Sequence, residues 1–136
     1  MITGVTAGSF DLLHAGHCLM LKEAKQQCDQ LIVLLHEDPS TERPEKNKPI
    51  ETVEERIIRL KSNKYVDEIR TYKTEKQLLS LLQEINPDIR IIGADWKGKD
   101  FTGHELDIPI FFNSRDHDYS SSNLRQRIVD NGLNQQ

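Results

Sequence analysis

Strand-like apolar runs alternate with helical periodicities along the whole chain, and that alternation leaves few folds open. Ile2 to Thr6 reads as a first strand and His17 to Gln27 as a helix burying Leu21 and Ala24. Leu31 to Leu35 is a continuous apolar run, as expected of a strand covered on both faces. Thr52 and Glu55 form a capping box opening a helix through Ser62, after a polar loop from Glu37 to Glu51. Val66 to Tyr72 reads as an edge strand, and Glu75 to Ile85 as a helix with Leu78, Leu81, Leu82 and Ile85 on one face. Ile89 to Gly93 and Ile108 to Phe112 give two more strands, and Ser121 to Asp130 a last helix with Gly132 as its cap. The order predicts one α/β domain over residues 1–136, built on a doubly wound, mainly parallel, Rossmann-like sheet.

Such sheets bind ligands beyond the carboxyl ends of their strands, and one loop there is unusual. Gly8-Ser9-Phe10-Asp11-Leu12-Leu13-His14-Ala15-Gly16-His17 joins the first strand to the first helix. A helix N-terminus offers unpaired N–H groups and the positive end of the dipole, so it attracts anions. Gly16 lets a ligand approach closely, and His14 and His17 add donors whose charge can follow a phosphate. The loop therefore predicts a phosphate site. Asp11 is expected to organise the loop or to approach a metal.

Three later segments could serve the same ligand. Lys46, Lys48 and Arg56 are cations near one another in sequence, suited to gripping phosphates. Gly93-Ala94-Asp95-Trp96-Lys97-Gly98-Lys99 leaves a strand directly. There Asp95 can accept from ribose hydroxyls, and Trp96 can wall an acceptor pocket or simply pack. Arg115-Asp116-His117-Asp118-Tyr119-Ser120-Ser121-Ser122 puts a cation and several hydroxyls at a helix start, a second anion cradle. His117 lacks a convincing partner cluster for a metal, and the His14 and His17 pair lacks a third ligand.

Composition limits the partners. The formal net charge of −4 argues against a nucleic-acid coat or a membrane-surface protein. No apolar run approaches the ~20 residues a bilayer requires, and the start does not read as a signal peptide. Cys18 and Cys28 would lie roughly 15 Å apart on one helix, too far for a disulfide, so reduced thiols and a cytoplasmic location are expected.

The loop and these later segments together resemble the HxGH nucleotidyltransferases, closest to the glycerol-3-phosphate cytidylyltransferases. The likeness runs from Gly8 to the final helix and includes Val66-Asp67-Glu68 and the Gly93 to Lys99 string. Ala15 is spelled as in enzymes that make ADP-heptose, and Asp118 and Tyr119 stand where the family has glycine and isoleucine. The resemblance implies transfer of CMP from CTP to glycerol 3-phosphate, with Mg²⁺ screening the triphosphate. It implies catalytic roles for His14, His17, Lys48 and Arg56. Nucleotide contacts would come from Gly8, Ser9, Phe10, Asp11, Gly16, Gly93, Asp95, Arg115, Ser120 and Ser121. Lys46, Lys73 and Trp96 would meet the acceptor. Relatives often form homodimers, though nothing in the residues fixes the oligomer. Adenylyl transfer to a heptose phosphate, or to a cofactor precursor such as FMN, would use the same fold. A nucleotide-binding module without catalysis is the alternative of another class, and pyrophosphate release separates it.

Overall fold

The protein is described here by a computed structural model covering residues 1–114 and 117–134. Its elements run β1 (Thr3–Gly8), α1 (Ala15–Gln26), β2 (Gln30–His36), α2 (Val53–Lys61), β3 (Glu68–Tyr72), α3 (Glu75–Ile85), β4 (Ile89–Gly93), β5 (Ile110–Asn113) and α4 (Ser121–Asn134). Short 3₁₀ turns occupy Pro39–Thr41 and Ala94–Trp96. The five strands form one sheet in the order β3-β2-β1-β4-β5, every pair parallel. The expected doubly wound α/β architecture is what forms.

β2 shows why its apolar run is unbroken. Leu31, Val33 and Leu35 point to one face and pack with Leu21 and Ala24 of α1 and Leu60 of α2. Ile32 and Leu34 point to the other and pack with Leu78 and Leu82 of α3. Alternate side chains leave a strand on opposite faces, so both must be apolar when helices cover both. β3 lies at an edge of the sheet, as expected. Asp67, just before it, accepts from the Leu31 N–H at 2.8 Å and from the Lys25 ammonium, tying β3 to β2 and α1.

The chain runs outward from β1 to β3, then returns to place β4 on the other side of β1. Strand order therefore reverses between β1 and β4, where ligands of such sheets bind. The β1–β2 pairing continues to Gly8↔Leu35, whereas the β1–β4 register holds Gly4↔Ile89 and Val5↔Arg90. Beyond Val5 the crevice opens between these two strands.

Several boundaries differ from expectation by one or two residues, and the largest difference is at the end of α4. α4 does not stop at Asp130; it continues to Asn134, so Gly132 is a helical residue rather than a cap. A Cβ at Gly132 would meet nothing within 4 Å, so no close packing requires the glycine. β5 begins at Ile110 rather than Ile108 and ends on Asn113, one residue past the apolar run. Among the described residues no helix is long and apolar enough to cross a membrane, and Cys18 and Cys28 are free thiols.

Candidate functional site

The β1–α1 loop holds a conformation that L-residues avoid. Phe10 (φ 48°) and Leu12 (φ 52°) both lie in the left-handed region, which costs about 1–2 kcal/mol for each non-glycine residue. Such backbone persists only where the surroundings over-determine it. Here Asp11, 5 % exposed, supplies that constraint. Its carboxylate accepts from the Ile50 N–H (2.8 Å), the Glu51 N–H (2.9 Å) and Arg125 Nη2 (2.7 Å). Glu51 returns the clasp by accepting from the Leu12 N–H at 2.8 Å, and Arg59 Nε neutralises it from the far side. Asp11 thus organises the loop, with both oxygens engaged.

The two signature histidines cap α1. His14 Nδ1 accepts from the Gly16 N–H at 3.0 Å, and His17 Nδ1 accepts from the His14 N–H at 3.2 Å. Their rings stack with centroids 3.8 Å apart. In a neutral imidazole one nitrogen accepts and the other donates, so each ring carries its proton on Nε2. Burial above all, and then the neighbouring His14, lower the pKa of His17 from 6.5 to about 3, against a smaller upward pull from Asp11. Phe10, buried behind it with ring centroids 5.4 Å apart, provides part of that burial. Gly16 is required by close approach. A Cβ there would lie 2.9 Å from His14 Cε1 and 3.0 Å from the Tyr119 carbonyl oxygen.

The lowered pKa makes a stability prediction. Above pH 6.5 His17 is neutral whether folded or unfolded. Below that the unfolded chain takes up a proton that the folded one resists down to about pH 3. Stability contributed by His17 is therefore intact above pH 6.5 and lost as pH falls, by at most about 1.4 kcal/mol per unit. Urea midpoints measured from pH 7 to pH 4 should fall less steeply for His17→Gln than for the wild type.

Two cavities open at this end of the sheet. The smaller, about 250 Å³, is lined by His14, Gly16, His17 and Met20 of α1 and its cap, by the ends of β4 and β5, and by His117, Tyr119, Ser120 and Ser121 leading into α4. The larger, about 700 Å³, is lined by Gly8 and Ser9, by His36, Arg43 and Lys46, by Tyr72 and Glu75, by Arg90 to Gly93, and by Trp96, Phe101 and Thr102. Met20, Gly93 and Asn113 belong to both and mark where the cavities meet.

Six expected nucleotide or catalytic residues thus meet at the small cavity: His14, Gly16, His17, Gly93, Ser120 and Ser121. Gly8, Ser9, Lys46 and Trp96 reach the large one. Arg56 is a correction. It is 2 % exposed, and its guanidinium donates to the carbonyl oxygens of Ser9, His36, Glu37, Glu51 and Thr52 at 2.6–3.3 Å. It staples backbone and lines neither cavity. Lys73 is another correction, because it lies in a separate depression with Thr71, Gln77 and Glu84. Lys48 is exposed and sits near Asp38, outside both cavity walls. Phe10 and Asp11 support the loop from behind. Asp95 is exposed and folds over Gly93, where its Oδ1 would stand 2.7 Å from an added Cβ. Arg115 falls outside the described residues.

The large cavity also holds groups without a motif to announce them. Arg90 is buried, donates to the Thr102 carbonyl oxygen and lies 5.2 Å over the Phe101 ring. Glu75 accepts from Arg43 Nη2 at 3.2 Å and from the Thr102 hydroxyl at 2.8 Å, joining the loops on either side. His36 stacks on Tyr72, with centroids 4.5 Å apart. Burial pushes the Tyr72 phenol up, so it stays neutral. These residues come from separate elements with ordinary spacing; a buried charge on a strand, as at Arg90, was the one available signal.

For a divalent ion, none of the described residues lining the small cavity is acidic. His36, Glu42 and Glu75 could group around an ion at the large cavity, but Arg43 and Thr102 already engage Glu75. Among the described residues, the donor set does not make a resident metal site beside the histidines.

The cytidylyltransferase-like family model matches residues 5–127. The chain belongs to that family. It is 32 % identical over 126 residues to the glycerol-3-phosphate cytidylyltransferase of Bacillus subtilis, covering 92 % of this chain and 95 % of the relative. It is 37 % identical to the FAD synthase of Thermococcus sibiricus, over 67 % of this chain and 62 % of that one. It is 36 % identical to the bifunctional protein HldE of Helicobacter pylori, over 90 % of this chain but 27 % of that protein. Among solved structures, a lipopolysaccharide core biosynthesis protein from Thermoplasma volcanium superposes with a TM-score of 0.72 at 30 % identity, covering 86 % of this chain and 99 % of that one.

Proposed function

We propose that the chain transfers a nucleotidyl group from a nucleoside triphosphate to a small phosphorylated alcohol, with CTP and glycerol 3-phosphate as the leading pair. The observation that carries this is the shared tautomer of His14 and His17. Each Nδ1 accepts a main-chain N–H, so two Nε2–H donors stand fixed at the α1 N-terminus beside the small cavity. Donors fixed in advance stabilise charge developing on phosphate oxygens without reorganising. Arg43, Lys46 and Arg90 outnumber Glu75 and Asp100 around the adjoining cavity, an excess of positive charge suited to an anionic acceptor.

In this reading an acceptor phosphate oxygen attacks the α-phosphorus in line. One P–O bond forms as the bond to the β-phosphate bridge breaks, and pyrophosphate leaves. The attacking oxygen is already ionised, so the chain need supply no general base. Positioning and charge neutralisation provide the acceleration. Mg²⁺ enters with the triphosphate as part of the substrate.

The near end-to-end match with the Bacillus subtilis enzyme supports glycerol 3-phosphate. One observation favours a bulkier acceptor: the large cavity, about 700 Å³ and flanked by Tyr72, Trp96 and Phe101, exceeds what a three-carbon phosphate fills. ATP with a heptose phosphate or FMN is the second reading. Pyrophosphate release with Mg²⁺, crossing CTP and ATP with glycerol 3-phosphate, heptose 1-phosphate and FMN, decides between them. Turnover is expected with CTP and glycerol 3-phosphate. Turnover confined to ATP and a larger acceptor overturns the substrates and keeps the reaction.

A further inference from the structure

Where the two cavities meet, one polar side chain is left incomplete. Asn113 ends β5, is 4 % exposed, and forms part of the wall of both cavities. Its Oδ1 is buried and, among the described residues, accepts no hydrogen bond. Its Nδ2 faces Glu23 of α1, 3.4 Å from Oε1. Buried side-chain acceptors are normally satisfied, so an orphan at a cavity wall asks what completes it.

We propose that Asn113 Oδ1 selects nucleotides whose base carries an amino group at C4 of a pyrimidine or C6 of a purine, cytosine or adenine, over uracil and guanine, which carry a carbonyl at that position. The inference rests on the small cavity taking the nucleoside.

Glu23 fixes which end of the amide is presented. It accepts from the Ser114 N–H at 2.7 Å and from the Ser114 hydroxyl at 2.5 Å, as well as from Asn113. Burial works to raise its pKa, but these hydrogen bonds together hold it below the ordinary value. The carboxylate is then ionised and can only accept. The amide must turn its NH₂ toward Glu23, because the opposite orientation would set oxygen against carboxylate. An acceptor alone remains for the cavity side. The Asn113–Glu23 contact is long and asparagine χ2 is broad, so the oxygen can tilt toward a seated base while its NH₂ keeps Glu23.

Position favours the base over the phosphates. The phosphate donors His14 and His17 sit at the first turn of α1, whereas Glu23 lies six residues past His17, about 9 Å along the axis. A hydrogen-bond acceptor at the phosphate end would repel its ligand. At the far end it meets neutral groups that donate. A site built around such a bond rejects the analogue that leaves it unpaired, since the stranded oxygen meets another carbonyl.

Calorimetric titration of the full-length protein with CTP, UTP, ATP and GTP tests this without an acceptor. The wild type is expected to bind CTP over UTP, and ATP over GTP, by about tenfold or more. Asn113→Leu should collapse both ratios toward one. Glu23→Gln, which leaves β5 intact, should narrow them too, because a neutral amide no longer dictates how Asn113 faces; a merely structural Glu23 would weaken all four nucleotides alike. Equal affinities in the wild type, or ratios unchanged in both variants, overturn the inference. Ratios that shift instead between CTP and 2′-deoxy-CTP overturn it in favour of a ribose contact. Failure of all four nucleotides to bind would sink the proposed function itself, a result distinct from binding without discrimination.

Discussion

Arg56→Met is expected to destabilise the fold by about 3–5 kcal/mol, the cost of leaving several buried carbonyl acceptors without their donor, and to lower Tm by roughly 10 °C. The guanidinium accounts for the size of the effect. Through its 2.9 and 2.8 Å bonds to the Ser9 and His36 carbonyl oxygens it joins the ends of β1 and β2. Through Glu37, Glu51 and Thr52 it joins the start of the long loop to the cap of α2. Methionine replaces the volume and none of the donors, and each buried acceptor left without one costs about 1–3 kcal/mol. Arg56→Lys should recover only part of the loss, because a single ammonium cannot reach carbonyls arranged around a planar fork. Thermal melts and urea titrations give the answer directly. A variant that keeps the wild-type Tm but loses nucleotide affinity would return Arg56 to the ligand.

Arg56 also shows where the sequence stops being informative. The alternation of strands and helices is written in local periodicity, so sheet, edge strand and capping box could be read from neighbouring residues. A phosphate-gripping arginine and a backbone-stapling arginine occupy the same helical position and look alike in one dimension. What separates them is burial, and burial depends on Ser9, His36 and Glu51 converging from distant parts of the chain. The Asp11–Glu51 clasp was invisible for the same reason, since its partners lie 39 and 40 residues apart. Lys73 is a different case: it follows an edge strand and lines a separate depression with Thr71 and Gln77, a placement that its position in the sequence does not reveal. Asn113 carried no signal at all. It stands one residue beyond an apolar run, and only Glu23, 90 positions earlier, shows which way its amide faces.

His17→Ala is expected to lower kcat by about 10²–10³-fold while the protein stays folded, the loss typical of removing one donor fixed on developing phosphate charge. His14→Ala should behave similarly. The more telling variant is His17→Gln. Position 17 is the third residue of α1, where a glutamine can turn back to the N-cap N–H in a capping box. Its oxygen would then replace Nδ1 as acceptor for the His14 N–H, leaving the amide NH₂ to stand for Nε2–H. The neutral amide suffices only because His17 itself is held neutral, its pKa near 3. His17→Gln should therefore retain about tenfold more activity than His17→Ala, with the difference in kcat rather than in KM. Its rate should also stay level from pH 6 to pH 8 relative to wild type, since neither side chain changes charge there in the free protein. If glutamine proves as inactive as alanine, and the wild-type rate instead falls as a group near pH 6.5 deprotonates, His17 acts as an imidazolium. The buried neutral ring would then describe only the protein without its nucleotide, and binding of the triphosphate would have to raise the His17 pKa by about three units. NMR titration of the ring with and without CTP would measure that rise directly.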